Sequence, residues 1–159
     1  MIKEILNQRT CANCQMCCVF DRYDIWETPV FEAETIKKVL DIDPEAKFAA
    51  VGSEYVINAS EIADGDFFRC PALTDSGCAL GDDKPFDCRI WPFKIMNHQG
   101  SRVIAVSTLC EEVHRQDHQA LKNFLENGLA ETIFRYADQN PQIVKPFYGN
   151  YTVLITAKG

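Results

Sequence analysis

The chain has 159 residues, 47% hydrophobic and 25% charged, with a formal net charge of −7. These values exclude a disordered or collagen-like chain and suit a single domain over 1–159 that buries its own core. The negative balance argues against a protein built to grip phosphate backbones, so no nucleic-acid partner is expected.

Residues 1–10 read as a short lead-in of mixed charge, without the apolar stretch of a secretory signal. Cys11-Ala12-Asn13-Cys14-Gln15-Met16-Cys17-Cys18 follows at once. Neither strand alternation nor a 3.6-residue period describes it, which leaves a tight loop or the first turn of a helix. Thr28-Pro29 reads as a helix start, with Thr28 as N-cap and Pro29 in the first helical position. Ile36, Val39 and Leu40 supply the apolar face of a helix near 30–40, which Asp43-Pro44 ends. Tyr55-Val56-Ile57 and Asp66-Phe67-Phe68-Arg69 read as short strands. Thr74-Asp75-Ser76-Gly77 is turn chemistry that would place Cys70 and Cys78 on the two arms of a hairpin-like unit.

Farther along, Pro85 opens one helical turn over 84–89. Ile95-Met96 and Arg102 to Ser107 flank Asn97-His98-Gln99-Gly100 as a hairpin. A helix is predicted from about 111 to 127, with Asn127-Gly128 as its C-cap, and a second through Leu129, Ile133 and Phe134 that stops before Asn140-Pro141. Tyr151 to Ile155 reads as a strand. The predicted class is α+β, with short strands and hairpins, a C-terminal helical segment and the cysteines mostly on loops. The apolar runs are far too short for a spanning helix, so no membrane is expected among the partners.

The eight cysteines are the unusual feature: Cys11, Cys14, Cys17, Cys18, Cys70, Cys78, Cys88 and Cys110. With no secretory signal the expected compartment is the reducing cytoplasm, where clustered thiols are more often metal ligands or catalytic groups than disulfides. The series Cys11-x-x-Cys14-x-x-Cys17 lets one loop wrap one metal centre at little loop-closure cost. Structural zinc usually draws a CxxC knuckle from each of two places, and no second knuckle exists here. A serial CxxCxxC with a remote Cys-Pro, here Cys70-Pro71, is closer to the ferredoxin pattern. The expected cofactor is therefore an iron–sulfur cluster, with zinc as the alternative, since soft thiolates suit both.

Because Cys17 and Cys18 are neighbours, they are expected to point apart, so that a remote thiol completes the N-terminal centre and the two quartets meet in space. Thiolates add negative charge, and Arg69 and Arg89, close to cysteines in sequence, are the candidate donors and charge balancers around the cofactor. Trp91 and Phe93 are placed to cover a centre at Cys88. Cys110, His114 and His118 would share one face of the predicted 111–127 helix, although solvated helix histidines are the commoner case. His98 in its turn, and Asp21 and Asp24 after the cluster, are weaker ligand candidates. No Gly-rich phosphate loop, GxSxG, HExxH or radical-SAM spacing CxxxCxxC occurs.

Cys11 to Cys18 forms a CxxCxxCC mark. Downstream stand Cys70-Pro71-Ala72-Leu73, Gly77-Cys78, and Lys84-Pro85-Phe86-Asp87-Cys88-Arg89-Ile90-Trp91-Pro92-Phe93, then Cys110. On these motifs, over roughly residues 10 to 110, the chain resembles the CxxCxxCC cysteine-cluster family, described as a zinc- or iron-chelating domain. It is distantly similar to the flagellin lysine N-methylases. Lys84 stands where the family commonly has arginine. The resemblance implies metal binding by all eight cysteines and leaves the activity open. The reading is a metal-binding protein that works in redox chemistry or in protein side-chain modification such as lysine methylation. The alternative is a non-catalytic zinc- or iron-binding module: structural zinc, a metal carrier or a protein-interaction domain. The partner, a protein or a small molecule, is not named by the sequence.

Overall fold

The computed structural model describes residues 2–157, the side chain of Gln8 excepted. Its centre is the predicted hairpin. Strands β7 (Phe93–His98) and β8 (Ser101–Val106) pair antiparallel in continuous register. Gln99 and Gly100, at φ 53° and 83°, form the two-residue turn, both in the left-handed region that the twist of a hairpin favours. The Asn97 side chain accepts from Gly100 N at 2.9 Å. His98 thus ends a strand instead of sitting in the turn.

Strand β10 (Thr152–Thr156) lies antiparallel to β8, and β9 (Lys145–Pro146) runs parallel to β7, giving the order β10-β8-β7-β9. Both faces of this sheet are covered, so β7 and β8 read as continuous apolar runs instead of alternating with polar residues. Phe93, Ile95, Ile104 and Val106 join one core with Val113, Leu121, Leu125 and Ile133. Met96, Val103 and Ala105 face a second, smaller one with Tyr151.

The helical layer over the first face departs from expectation. The predicted 111–127 helix is two: α4 (Glu111–His114) and α5 (His118–Phe124). Asp117 breaks it by capping α5, its Oδ2 accepting from Ala120 N at 2.9 Å. Gly128, at φ 105°, carries the kink that leads into α6 (Ala130–Gln139).

The remaining elements form a second region. They are α1 (Gln8–Cys14), β1 (Val19–Asp21), α2 (Ala33–Ile42), the hairpin β2 (Phe48–Val51) with β3 (Glu54–Ile57), β4 (Phe67–Arg69), and the small hairpin β5 (Leu73–Thr74) with β6 (Gly77–Cys78). Phe20, Phe31, Val39, Ile57, Ala72 and Leu80 are its core. Helix α2 starts later than predicted, at N-cap Glu32. The segment before it is extended: Val30 N donates to Asp87 Oδ2 and Phe31 bridges Tyr55, and both bonds would be lost in a helix begun at Thr28-Pro29. The one-turn helix opened by Pro85 is α3 (Phe86–Ile90). The class is α+β. Among the described residues no helix is long and apolar enough to cross a membrane.

Candidate metal centre

The cluster begins in a helix and ends in a tight turn. Asn7 caps α1, its side chain accepting from Arg9 N, and Cys11 and Cys14 stand a turn apart near the helix end. Gln15 then adopts the left-handed conformation, φ 56°, and its N–H returns to Cys11 O. This reversal sends Met16–Cys18 into a 3-10 turn, closed by Cys18 N donating to Gln15 O at 3.0 Å. Cys17 and Cys18 do not point apart: their sulfurs are 3.9 Å apart. Tetrahedral zinc with metal–sulfur bonds of 2.3 Å would separate its sulfurs by about 3.8 Å, so this pair already has the spacing of two ligands on one ion.

The downstream thiols are brought to the cluster by backbone pairing. Cys70 N donates to Cys18 O at 2.8 Å, and the β1–β4 ladder continues from there with Val19 opposite Arg69. Strand β6 lies against α1, where a Cβ on Gly77 would stand 3.5 Å from Ala12 Cβ. Gln15 links the two regions further, donating to Thr74 O and accepting from Arg69 Nη2 at 2.7 Å. Cys70 precedes the small hairpin instead of standing on its arm, since Cys78 pairs with Leu73. Cys88 rides on α3, and Cys110 is the N-cap residue of α4, buried beside Cys11 in the main core.

Cys11, Cys17, Cys18, Cys78 and Cys88 line one cleft of about 560 Å³. Cys70 and Cys110 are buried and Cys14 is exposed. A hydrogen bond with Cys18 raises the Cys17 thiol most, followed by burial and the Cys18 charge. Cys17 in turn raises Cys11, Cys70, Cys88 and Cys110, in each case behind burial as the larger cause, and Cys70 and Cys110 are each pushed up to about 11. The Cys14 charge also acts on Cys11, and the Cys78 charge on Cys70. One electrostatic neighbourhood therefore holds both quartets. Among the described residues no three His, Cys, Asp or Glu side chains are close enough, as placed, to hold a metal ion.

Lys84 and Arg89 line the same cleft, and the Lys84 charge lowers both Cys11 and Cys17. Arg89 sits over the Phe86 ring at 5.6 Å. Arg69 is not in the lining; its bond to Gln15 steadies the turn between Cys14 and Cys17. Trp91 and Phe93 do not cover the thiols. Trp91 Nε1 donates to Glu27 Oε2 at 2.9 Å, and Phe93 is buried in the main core against Phe124. The helix break at Asp117 takes His118 off the face it would share with Cys110 and His114, which remain one turn apart at the start of α4. His98 stacks on Phe147, and Asp21 and Asp24 accept from Tyr23 N and Glu27 N in local turns.

Sequence reasoning missed a buried polar network next to Cys88. Asp87 pairs with Lys94 at 3.3 Å, both side chains 2% exposed. Glu27 accepts from Trp91, from Ser107 Oγ at 2.6 Å and from Tyr151 OH at 2.6 Å. A lysine inside the apolar run Phe93-Lys94-Ile95-Met96 was the available signal, because an alternating strand would have put Lys94 and Met96 on one solvated face. No protein-family model, curated protein or solved structure matches this chain.

Proposed function

We propose that the chain is a metal-binding protein whose cysteines hold an iron–sulfur cluster at this cleft, with zinc as the alternative occupant. The observation that carries the reading is the convergence of Cys11, Cys17, Cys18, Cys78 and Cys88, from three separate chain segments, on one cleft. Thiols so gathered repel one another once ionised, and a cation removes that penalty, which ties metal binding to folding. The donor set is all sulfur, as soft metals require. Lys84 and Arg89 supply the positive charge that a cluster of thiolates calls for.

The resemblance to the CxxCxxCC cysteine-cluster family points the same way. A bound cluster would supply electron transfer or a Lewis-acidic iron, serving redox chemistry or protein side-chain modification such as lysine methylation. The chain's own residues gather the thiols, exclude water behind Cys70 and Cys110, and balance charge. The non-catalytic module is the second reading, favoured by the zinc-like spacing of the Cys17 and Cys18 sulfurs.

Anaerobic purification with metal and acid-labile sulfide analysis tests this. Iron with matching sulfide, lost in Cys17→Ser and Cys88→Ser, is the expected result. Zinc without sulfide selects the alternative, and neither metal overturns both.

A further inference from the structure

A second cleft, of about 550 Å³, shares no lining residue with the thiol cleft. It lies between the segment after β1, the β2–β3 hairpin and β9. Val30, Val56, Ile57, Phe68 and Val144 supply an apolar part of its wall, and Asp21, Arg22 and Asp24 also line it. One of its polar residues is Lys145, only 7% exposed. The volume falls in the range of small-molecule sites.

The sheet explains why Lys145 differs from the other buried lysine. Lys145 stands opposite Met96 in the parallel β7–β9 pairing. Lys94 lies two residues before Met96, and so projects to the same face of the sheet. Two ammonium groups thus compete for the carboxylates beneath that face. Lys94 takes Asp87 at 3.3 Å. Lys145 Nζ has, among the described residues, one hydrogen bond, to Thr28 O at 2.9 Å, and no carboxylate within ion-pair distance. Burial pushes the Lys145 amine below the ordinary lysine range and the Lys94 charge adds to this, against the opposing pull of Asp87, Glu27 and Asp24. A lysine desolvated in an apolar pocket beside a second cation is the arrangement that makes an amine nucleophilic near neutral pH.

We propose that this cleft binds a small apolar carbonyl compound, an aldehyde or ketone, and that Lys145 Nζ condenses with it. The nitrogen lone pair forms the new bond to the carbonyl carbon. The carbonyl oxygen departs as water with the two amine hydrogens, leaving a neutral imine, and nothing is oxidised or reduced. The apolar wall takes the hydrocarbon part, and the Thr28 carbonyl orients the amine.

Reductive trapping tests this on the full chain. The protein is incubated near neutral pH with benzaldehyde and sodium cyanoborohydride, and the benzylated lysines are located by peptide mass mapping. The expected result is that Lys145 is labelled at least about ten-fold faster than the exposed Lys37 and Lys38. Cyclohexanol, which fits the cleft but carries no carbonyl, should slow Lys145 and leave Lys37 unchanged. Ala49→Trp, which fills the cleft from β2, should do the same. Labelling of Lys145 no faster than the surface lysines overturns the proposal. So does fast labelling that neither cyclohexanol nor Ala49→Trp slows.

Discussion

Tyr136 has one proton and two carboxylates to serve. Its hydroxyl donates to Glu32 Oε1 at 2.7 Å and reaches Glu54 Oε1 only at 3.4 Å, while Glu54 Oε2 is buried without a partner. Burial, and next the Glu32 charge, raise the Glu54 carboxyl above its ordinary value of 4.5. The folded chain therefore holds this proton at a pH where the unfolded chain has lost it, and stability falls as pH rises through that window. Above the folded-state value the penalty is constant, and below about 4 it vanishes. Glu54→Gln should accordingly raise the melting temperature at pH 7 and leave it unchanged near pH 3.5. A gain of equal size at both values would place the effect in packing instead. The Asp87–Lys94 pair behaves differently, because each partner satisfies the other. Lys94→Met leaves a buried carboxylate unpaired and should cost about 3–5 kcal/mol in urea unfolding. Lys94→Met combined with Asp87→Asn should recover part of that loss, and the double-mutant cycle measures how much.

At the scale of the element, chain direction is set by a few backbone positions that carry no chemistry. Gly128 at φ 105° turns α5 into α6, and open space surrounds its Cα, so a side chain would meet backbone strain without a clash. Gly128→Ala should cost about 1–2 kcal/mol, the penalty for an L residue in the left-handed region, read as a lower denaturation midpoint with an unchanged slope. Gln15 bears the same strain at φ 56°, and there the chain keeps a side chain that bonds to Arg69 and Thr74. That reversal separates the Cys11/Cys14 turn from the Cys17/Cys18 turn and lets Cys11, Cys17 and Cys18 line one cleft. The spacing Cys-x-x-Cys-x-x-Cys made the tight turn legible. The direction in which Cys17 and Cys18 point was not, because two successive side chains diverge in a strand but converge in a 3-10 turn closed by Cys18 N on Gln15 O.

Over the whole molecule, the thiol cleft is lined from the N-terminal turn, the β5–β6 hairpin and α3, which pack into separate cores. A metal on such ligands closes long loops and stabilises only the folded chain. If the proposed metal is bound, removing it with a chelator under anaerobic conditions should lower the melting temperature, and restoring it should reverse the change. Cys17→Ser, at the electrostatic hub, should lose more bound metal than Cys14→Ser, whose thiol is exposed and outside the cleft lining. Equal losses would put Cys14 among the principal ligands.

The sequence by itself determined the α+β class, the β7–β8 hairpin and the one-turn helix at Pro85, and it singled out the clustered cysteines as the residues to follow. Those features rest on local rules: turn residues, apolar spacing and the rarity of clustered cysteines. Helix starts and breaks were legible only where neither a distant partner nor a local cap inside the apolar pattern intervened. Thr28-Pro29 carries a helix-start signal, yet Val30 N is claimed by Asp87, and Asp117 caps a new helix inside an otherwise helical pattern. Only the tertiary structure decided that five cysteines line one cleft and that Arg69 stands apart from it. The same holds for Lys94 and Lys145, which project to one face of the sheet, where Lys94 pairs with Asp87. These arrangements depend on strand register and on competition between buried groups for the same partners, and neither is written in the spacing of residues along the chain.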